Sequence, residues 1–189
     1  MPQNHLKGFQ SAITRDICNQ LIDDFNSDQN ESKRLKGPKN ILMIQNKIQF
    51  YEYSLLNSGH SSFTKSLRSR LKEYRELNPF LKQLDWGIEE TCQLQKYTPG
   101  QFYSIEHCEH SVVRQKRILA WMFYLNDIFE GGGGTKFPQQ DVVLNARAGD
   151  LYIWPAFWTF SHLGIPSTQV DKYIITGWCS FNTDNISFT

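Results

Sequence analysis

A chain of 189 residues can bury one proper core but is cramped for two, so a single domain spanning 1–189 is expected. Twenty lysines and arginines against nineteen aspartates and glutamates leave a formal charge of +1, which excludes the broad basic field of a nucleic-acid or anionic-membrane binder and leaves only local patches open. Cys18, Cys92, Cys108 and Cys179 stand far apart with no C-x-x-C pair, so neither a zinc ribbon nor a thioredoxin-like site is expected.

At the amino terminus there is no basic-then-apolar leader, and no apolar run along the chain approaches the ~20 residues that cross a bilayer; a cytoplasmic protein in a reducing compartment is expected. Ile13, Ile17, Leu21 and Phe25 recur every fourth residue with Ile22 beside them, which predicts an amphipathic helix from about Thr14, packed on the outside of a sheet. Residues 26–40 are polar and end in Lys36-Gly37-Pro38-Lys39, the composition of a surface loop. Ser62 to Leu77 predicts a second helix, with Phe63, Leu67, Leu71 and Tyr74 along one face and Asn78-Pro79 as its stop.

From Trp86 onward short strands alternate with turn signals, as in a double-sheet barrel such as a jelly roll. The chain thus reads as α+β, with a helical part to about residue 84 packed on one sheet of a barrel core at about 85–182. In the apolar run from Arg117 to Asn126, Ile118, Ala120, Met122 and Tyr124 share one face and Leu119, Trp121, Phe123 and Leu125 the other, so this strand is expected to be central and covered on both sides. Gly131 to Gly134 lacks the lysine-serine tail of a phosphate loop and reads as a turn into a strand at Thr135–Phe137. Tyr173 to Trp178 has a strand pattern that buries alternate residues.

The chemistry is concentrated in His107-Cys108-Glu109, a lone His162, and Lys172 ten positions later. Two imidazoles and one carboxylate on one side of an Fe(II) ion leave the opposite positions open, as oxygen-activating chemistry requires. On an extended segment His107 and Glu109 point to the same side, whereas Glu106, Cys108 and His110, at odd offsets, face away. A buried ammonium at Lys172 needs an anion, and an acidic cosubstrate would supply one.

The order Tyr97-Thr98-Pro99-Gly100, Tyr103, His107-Cys108-Glu109, the strand to Asn126, the glycine run, Ala148-Gly149-Asp150, Ser161-His162 and Lys172 to Trp178 resembles the Fe(II)/2-oxoglutarate dioxygenases, specifically the prolyl 4-hydroxylase-like branch found in animals, algae, bacteria and phages. The resemblance covers about residues 85–182. It implies a double-stranded β-helix, a metal site of His107, Glu109 and His162, and Fe(II), 2-oxoglutarate and O2, with ascorbate rescuing oxidised iron. It also implies that Lys172 pairs with the distal carboxylate of 2-oxoglutarate, that the Tyr124 hydroxyl shares that carboxylate, and that Tyr97 and Thr176 line the same pocket. Trp178 is expected to pack under the metal site. Tyr103 fits less well, because the family's tyrosine stands one residue closer to the first histidine. Family members usually carry aspartate at the position of Glu109. Glutamate is one methylene longer but an equally hard anionic ligand, and a carboxylate there implies hydroxylation where glycine or alanine would imply halogenation.

The activity implied is oxidative decarboxylation of 2-oxoglutarate coupled to hydroxylation of an unactivated C–H bond. Peptidyl proline is the family's default substrate, with another peptide or amino-acid-like molecule in its place as a variant. A nucleobase demethylase would usually present arginines in the last strand. A metal-binding cupin-like protein would have no need of Lys172 with Tyr124; a degenerate, non-catalytic binding domain is favoured chiefly by Glu109 in place of aspartate, and iron binding would dispose of it.

Overall fold

The computed structural model describes residues 5–27, 35–36, 49–54, 61–100, 106–129 and 132–181. Thr14 caps the first helix, α1 (Arg15–Asn26), its hydroxyl accepting from the Ile17 amide at 3.3 Å, with Asp16 placed favourably in the first turn. The second helix, α2 (Ser61–Leu77), stops at Asn78-Pro79, where a 3-10 turn takes over. Its Phe63, Leu67, Leu71 and Tyr74 are fully buried. Each such side chain contributes roughly 1.5–3 kcal/mol of burial.

The strands are β1 (Lys7–Phe9), β2 (Leu35–Lys36), β3 (Gln49–Ser54), β4 (Gly87–Ile88), β5 (Thr91–Tyr97), β6 (Arg117–Tyr124), β7 (Thr135–Phe137), β8 (Val142–Leu144), β9 (Leu151–Pro155), β10 (Leu163–Gly164) and β11 (Lys172–Ser180). The larger sheet runs β1-β9-β6-β11-β5-β3-β2, with β4 also on β11, and the smaller runs β10-β7-β8; both are antiparallel. The two sheets form a double-stranded β-helix. The half expected to be helical therefore also supplies β1, β2 and β3 to the main sheet. Likewise Leu35–Lys36, inside the 26–40 stretch read as a loop, pairs with β3. The other residues of 28–40 lie outside the described set.

Both faces of the central strands are covered. On one face the two helices pack against Leu119, Trp121, Phe123, Leu151, Ile153, Tyr173 and Ile175, with Phe63 edge-on to Phe123 at 5.3 Å. On the other face Ala120, Met122, Tyr124, Trp154, Ile174 and Trp178 join Phe137 and Leu144 of the smaller sheet. Every residue of β6 is buried, as expected of a strand apolar on both sides. The strand of Tyr173 to Trp178, expected to bury alternate residues, is instead buried on both sides because helices cover one face and the barrel lumen the other.

One expected face assignment fails at the head of β6. Ile118 packs with Leu119 on the helix side instead of with Ala120, because the register against β11 skips a residue: Cys179 pairs with Leu119 and Ser180 with Arg117. Such a bulge turns a side chain to the opposite face. Arg117 is thereby brought to the barrel side. Among the described residues no helix is long and apolar enough to cross a membrane.

Gly177 on β11 sits against the Trp121 ring, which is wholly buried. A Cβ there would lie 2.7 Å from Cε2 and 2.9 Å from Cη2 of that ring, and closer still to Cζ2. Gly177→Ala is expected to destabilise the fold by about 1–3 kcal/mol through overpacking, read as a lower urea midpoint at unchanged slope.

Candidate metal centre and carboxylate anchor

His107 and His162 face each other across an isolated antiparallel bridge, each amide donating to the other's carbonyl at 3.0 and 2.9 Å. This bridge carries the first histidine without a regular strand. Beyond it, the amides of Glu109 and His110 both donate to the Ala156 carbonyl, at 3.0 and 2.9 Å, which fixes the backbone of the ligand-bearing segment. The His107 and His162 rings stand 4.4 Å apart between centroids. Glu109 Oε1 lies 3.5 Å from His107 Nε2 and 3.8 Å from His162 Nε2. One ligand atom from each residue falls within 4.8 Å of the others.

Two imidazoles and a carboxylate converging on one point are chemically fit to hold Fe(II). The tautomer also suits a ligand. His162 Nδ1 lies 3.1 Å from the Phe160 carbonyl and donates to it, leaving the Nε2 lone pair aimed at the point shared with Glu109. Phe137 stacks on the His162 ring at 5.1 Å and Trp154 meets it edge-on at 5.1 Å, so the ring is held in a dry wall. Burial, then the charge of His107, pushes His162 down to about 4. Glu109 is held at about 2: burial acts to raise it, but hydrogen bonding and charge from His107, the charge of His162 and the Trp178 hydrogen bond together prevail.

The neighbouring residues face elsewhere. The Cys108 thiol, half-buried, donates to the His110 carbonyl at 3.3 Å; His110 stacks on Phe157 at 4.4 Å; and Glu106 accepts from the Ser161 hydroxyl.

Lys172 opens β11 opposite Tyr97 and is 4% exposed. Its Nζ donates to the Gly134 carbonyl at 3.0 Å and lies 5.6 Å from the Tyr97 ring centre and 5.5 Å from that of Tyr124. No carboxylate of the described residues pairs with it, and burial pushes its ammonium down to about 7. The Tyr124 hydroxyl shares a 2.7 Å hydrogen bond with Thr135 Oγ1, and the Tyr97 hydroxyl donates to Gln95 Oε1 at 2.5 Å. Lys172, Tyr97 and Tyr124 are thus brought together. Thr176 is not part of this group: it lies four residues along β11, roughly 13 Å at strand rise, and its hydroxyl donates to the Trp121 carbonyl at 2.9 Å. Tyr103 lies outside the described residues.

Trp178 does more than pack beneath the histidines, since its Nε1 donates to Glu109 Oε2 at 2.7 Å. Sequence reasoning passed over Arg117, Glu89 and Thr135. An arginine heading an otherwise wholly apolar strand was the available signal for the first.

A double-stranded β-helix whose lumen holds two imidazoles, a carboxylate and a buried lysine is fit to hold a metal ion at one end and an acidic ligand at the other. Residues 92–180 match the 2OG-Fe(II) oxygenase superfamily, a match that implies Fe(II), 2-oxoglutarate and O2. No curated protein matches the chain in sequence. Similar solved structures include a viral collagen prolyl hydroxylase from Paramecium bursaria Chlorella virus-1, 18% identical, TM-score 0.69, covering 93% of this chain and 96% of that one. A Pseudomonas putida prolyl-4-hydroxylase is 17% identical, TM-score 0.72, covering 95% and 94%. A Trichoplax adhaerens prolyl hydroxylase, solved with a hypoxia inducible factor peptide fragment, is 16% identical, TM-score 0.73, covering 95% and 84%. At these identities the likeness is one of fold.

The unfolded chain holds a proton on Lys172 up to about the ordinary lysine value of 10.5, the folded chain only to about 7, so unfolding takes up a proton across that window. The contribution of Lys172 to stability is accordingly expected to rise with pH, on the order of 2 kcal/mol between pH 7 and 9. Urea unfolding of the apoprotein across this range tests it: Lys172→Met should be more stable than the unmodified protein at pH 7, and the difference should shrink toward pH 9.

Proposed function

We propose that His107, Glu109 and His162 hold Fe(II), that Lys172 anchors the distal carboxylate of 2-oxoglutarate with Tyr124 and Tyr97 beside it, and that the enzyme hydroxylates an unactivated C–H bond of a peptidyl prolyl or other peptide substrate. The observation that carries this reading is Lys172 itself. A buried ammonium without a carboxylate partner among the described residues costs several kcal/mol unless an anion arrives. A dicarboxylate able to reach from that ammonium to a metal near the histidines meets the requirement.

Iron, when bound, supplies O2 activation coupled to oxidation of the keto acid; the protein supplies geometry. His162 is held by the Phe160 carbonyl with Nε2 turned inward, and Glu109 by the Ala156 carbonyl through its backbone. Phe137 and Trp154 exclude water from the His162 side. Thr135 orients the Tyr124 hydroxyl, which burial keeps protonated by raising its pKa, so that it remains a donor to an incoming carboxylate. Thr176, away from Lys172, takes a place along the strand between anchor and metal centre. A cupin-like metal protein has no use for a buried lysine set against two tyrosines, and uptake of iron would dispose of a metal-free binding domain.

The peptide assignment draws on the relatives of the fold, one of which is described with a peptide fragment bound. Exposed Trp158 and the His110–Phe157 stack sit on segments adjoining His162 and Glu109, where they offer aromatic surface to a chain entering the mouth.

Anaerobic addition of Fe(II) and 2-oxoglutarate to the protein is expected to give the weak visible charge-transfer band of a keto acid chelated to iron. His162→Ala should abolish both the band and the uptake of iron, and unchanged iron content in that variant would refute the metal assignment. Lys172→Met should leave iron binding nearly intact while weakening 2-oxoglutarate binding about 100-fold or more, the loss expected when one member of a buried charge pair is removed. With air admitted, proline-containing peptides that accelerate succinate release would identify the substrate class.

A further inference from the structure

The two oxygens of Glu109 have different surroundings. Oε1 faces both imidazole Nε2 atoms, whereas Oε2 accepts from Trp178 Nε1 at 2.7 Å and lies 3.6 Å from an Arg117 guanidinium nitrogen. That nitrogen is buried and has no hydrogen-bond partner among the described residues; its nearest anionic neighbour is Glu109. Arg117 is itself held rigidly. Its Nε and a terminal nitrogen donate to the two oxygens of Glu89 at 3.0 and 3.1 Å, a planar fork on a carboxylate, while its Cζ stacks 3.5 Å above the Trp178 ring. Glu89 is fixed in turn by the Ser180 hydroxyl at 2.5 Å and by its own amide on the Trp178 carbonyl at 2.9 Å. The bulge between β6 and β11 turns Arg117 onto this face; regular alternation would have sent it to the helices.

Resting on the metal reading above, we propose that Arg117 and Trp178 are positioning residues for Glu109. The indole bonds the outer oxygen, the guanidinium stacks on the indole and adds positive charge beside that oxygen, and Glu89 holds the guanidinium in place. Oε1 is thereby left as the donor for the ion. A glutamate has one more rotatable bond than an aspartate, so its carboxylate would otherwise swing between one-oxygen and two-oxygen contact with a metal. The clamp removes that freedom.

Cobalt(II) titration of the whole protein provides the test, since it reads metal affinity without turnover. Trp178→Phe keeps the ring and removes its N–H; Arg117→Met removes the guanidinium. Each is expected to weaken Co(II) binding about 10–100-fold, the range for partners that orient metal ligands, with the apoprotein's thermal midpoint nearly unmoved for Trp178→Phe. In a Glu109→Gln background either change should have little further effect on Co(II) affinity, because both act through the carboxylate. Co(II) affinity within twofold of the unmodified protein in both variants, equal losses with and without Glu109, or losses that merely track the apoprotein's melting would each overturn the proposal. Failure of the underlying metal reading shows separately: the unmodified protein would then bind no Co(II), or His162→Ala would bind it equally well, and the clamp would fall with it.

Discussion

The pairing of β6 with β11 is the constraint on which the remainder of the structure depends. Both strands are buried on both sides, and a strand period of two sends neighbouring residues to opposite environments. Odd positions of β11, Tyr173 and Ile175, meet the helices, whereas Lys172, Ile174 and Trp178 face the lumen. A slip of one residue would exchange the lysine and the indole for apolar side chains and bury two polar groups under the helices. The close approach of Trp121 to Gly177 fixes this register sterically, since the indole occupies the space that any side chain would need.

Charge is distributed unevenly along the lumen. Near the Lys172 end a cation is buried against a carbonyl and two aromatic rings, with no carboxylate paired to it among the described residues. Near the Trp178 end Glu109 is surrounded by two imidazoles, an indole N–H and a guanidinium. In a medium of low dielectric such an arrangement is tolerable only if the first end receives an anion and the second supports a carboxylate in its ionised form. The two requirements match a dicarboxylate cosubstrate and a carboxylate ligand respectively.

Much of this was legible in the sequence because it depends on local pattern. The four-residue spacing of Ile13, Ile17, Leu21 and Phe25, the Asn78-Pro79 stop and the two-sided apolar run after Arg117 are each set by neighbours in the chain. The two-residue spacing of His107 and Glu109 is visible in the chain, but the bend at Glu109, held by the Ala156 carbonyl, is not. What escaped reading was set by pairing between distant segments. Leu35–Lys36 is too short to show a period, and its strand character comes from β3. Arg117 stands out as the one charge at the head of an apolar strand, but its tie to Glu109 is not local, because a skipped residue opposite Ser180 aims it there. Thr176, given a place in the pocket by resemblance, lies four residues along β11 from Lys172, on the same strand.

The shortest strands also carry a consequence for how the molecule behaves in company. Three residues, Lys7 to Phe9, pair with Leu151 to Ile153 along the otherwise open margin of the large sheet, and Gly8 lies so close to the Tyr152 ring that a side chain there would meet it. Phe9 is drawn into the core beneath α1 and α2, which ties this short edge down. With those residues trimmed, β9 would expose a row of unsatisfied amides and carbonyls next to an apolar strand, a template for docking to another molecule's sheet edge. Lys7 to Phe9 thus covers the edge of an apolar strand, and a version of this protein lacking those residues would reveal their loss first as turbidity.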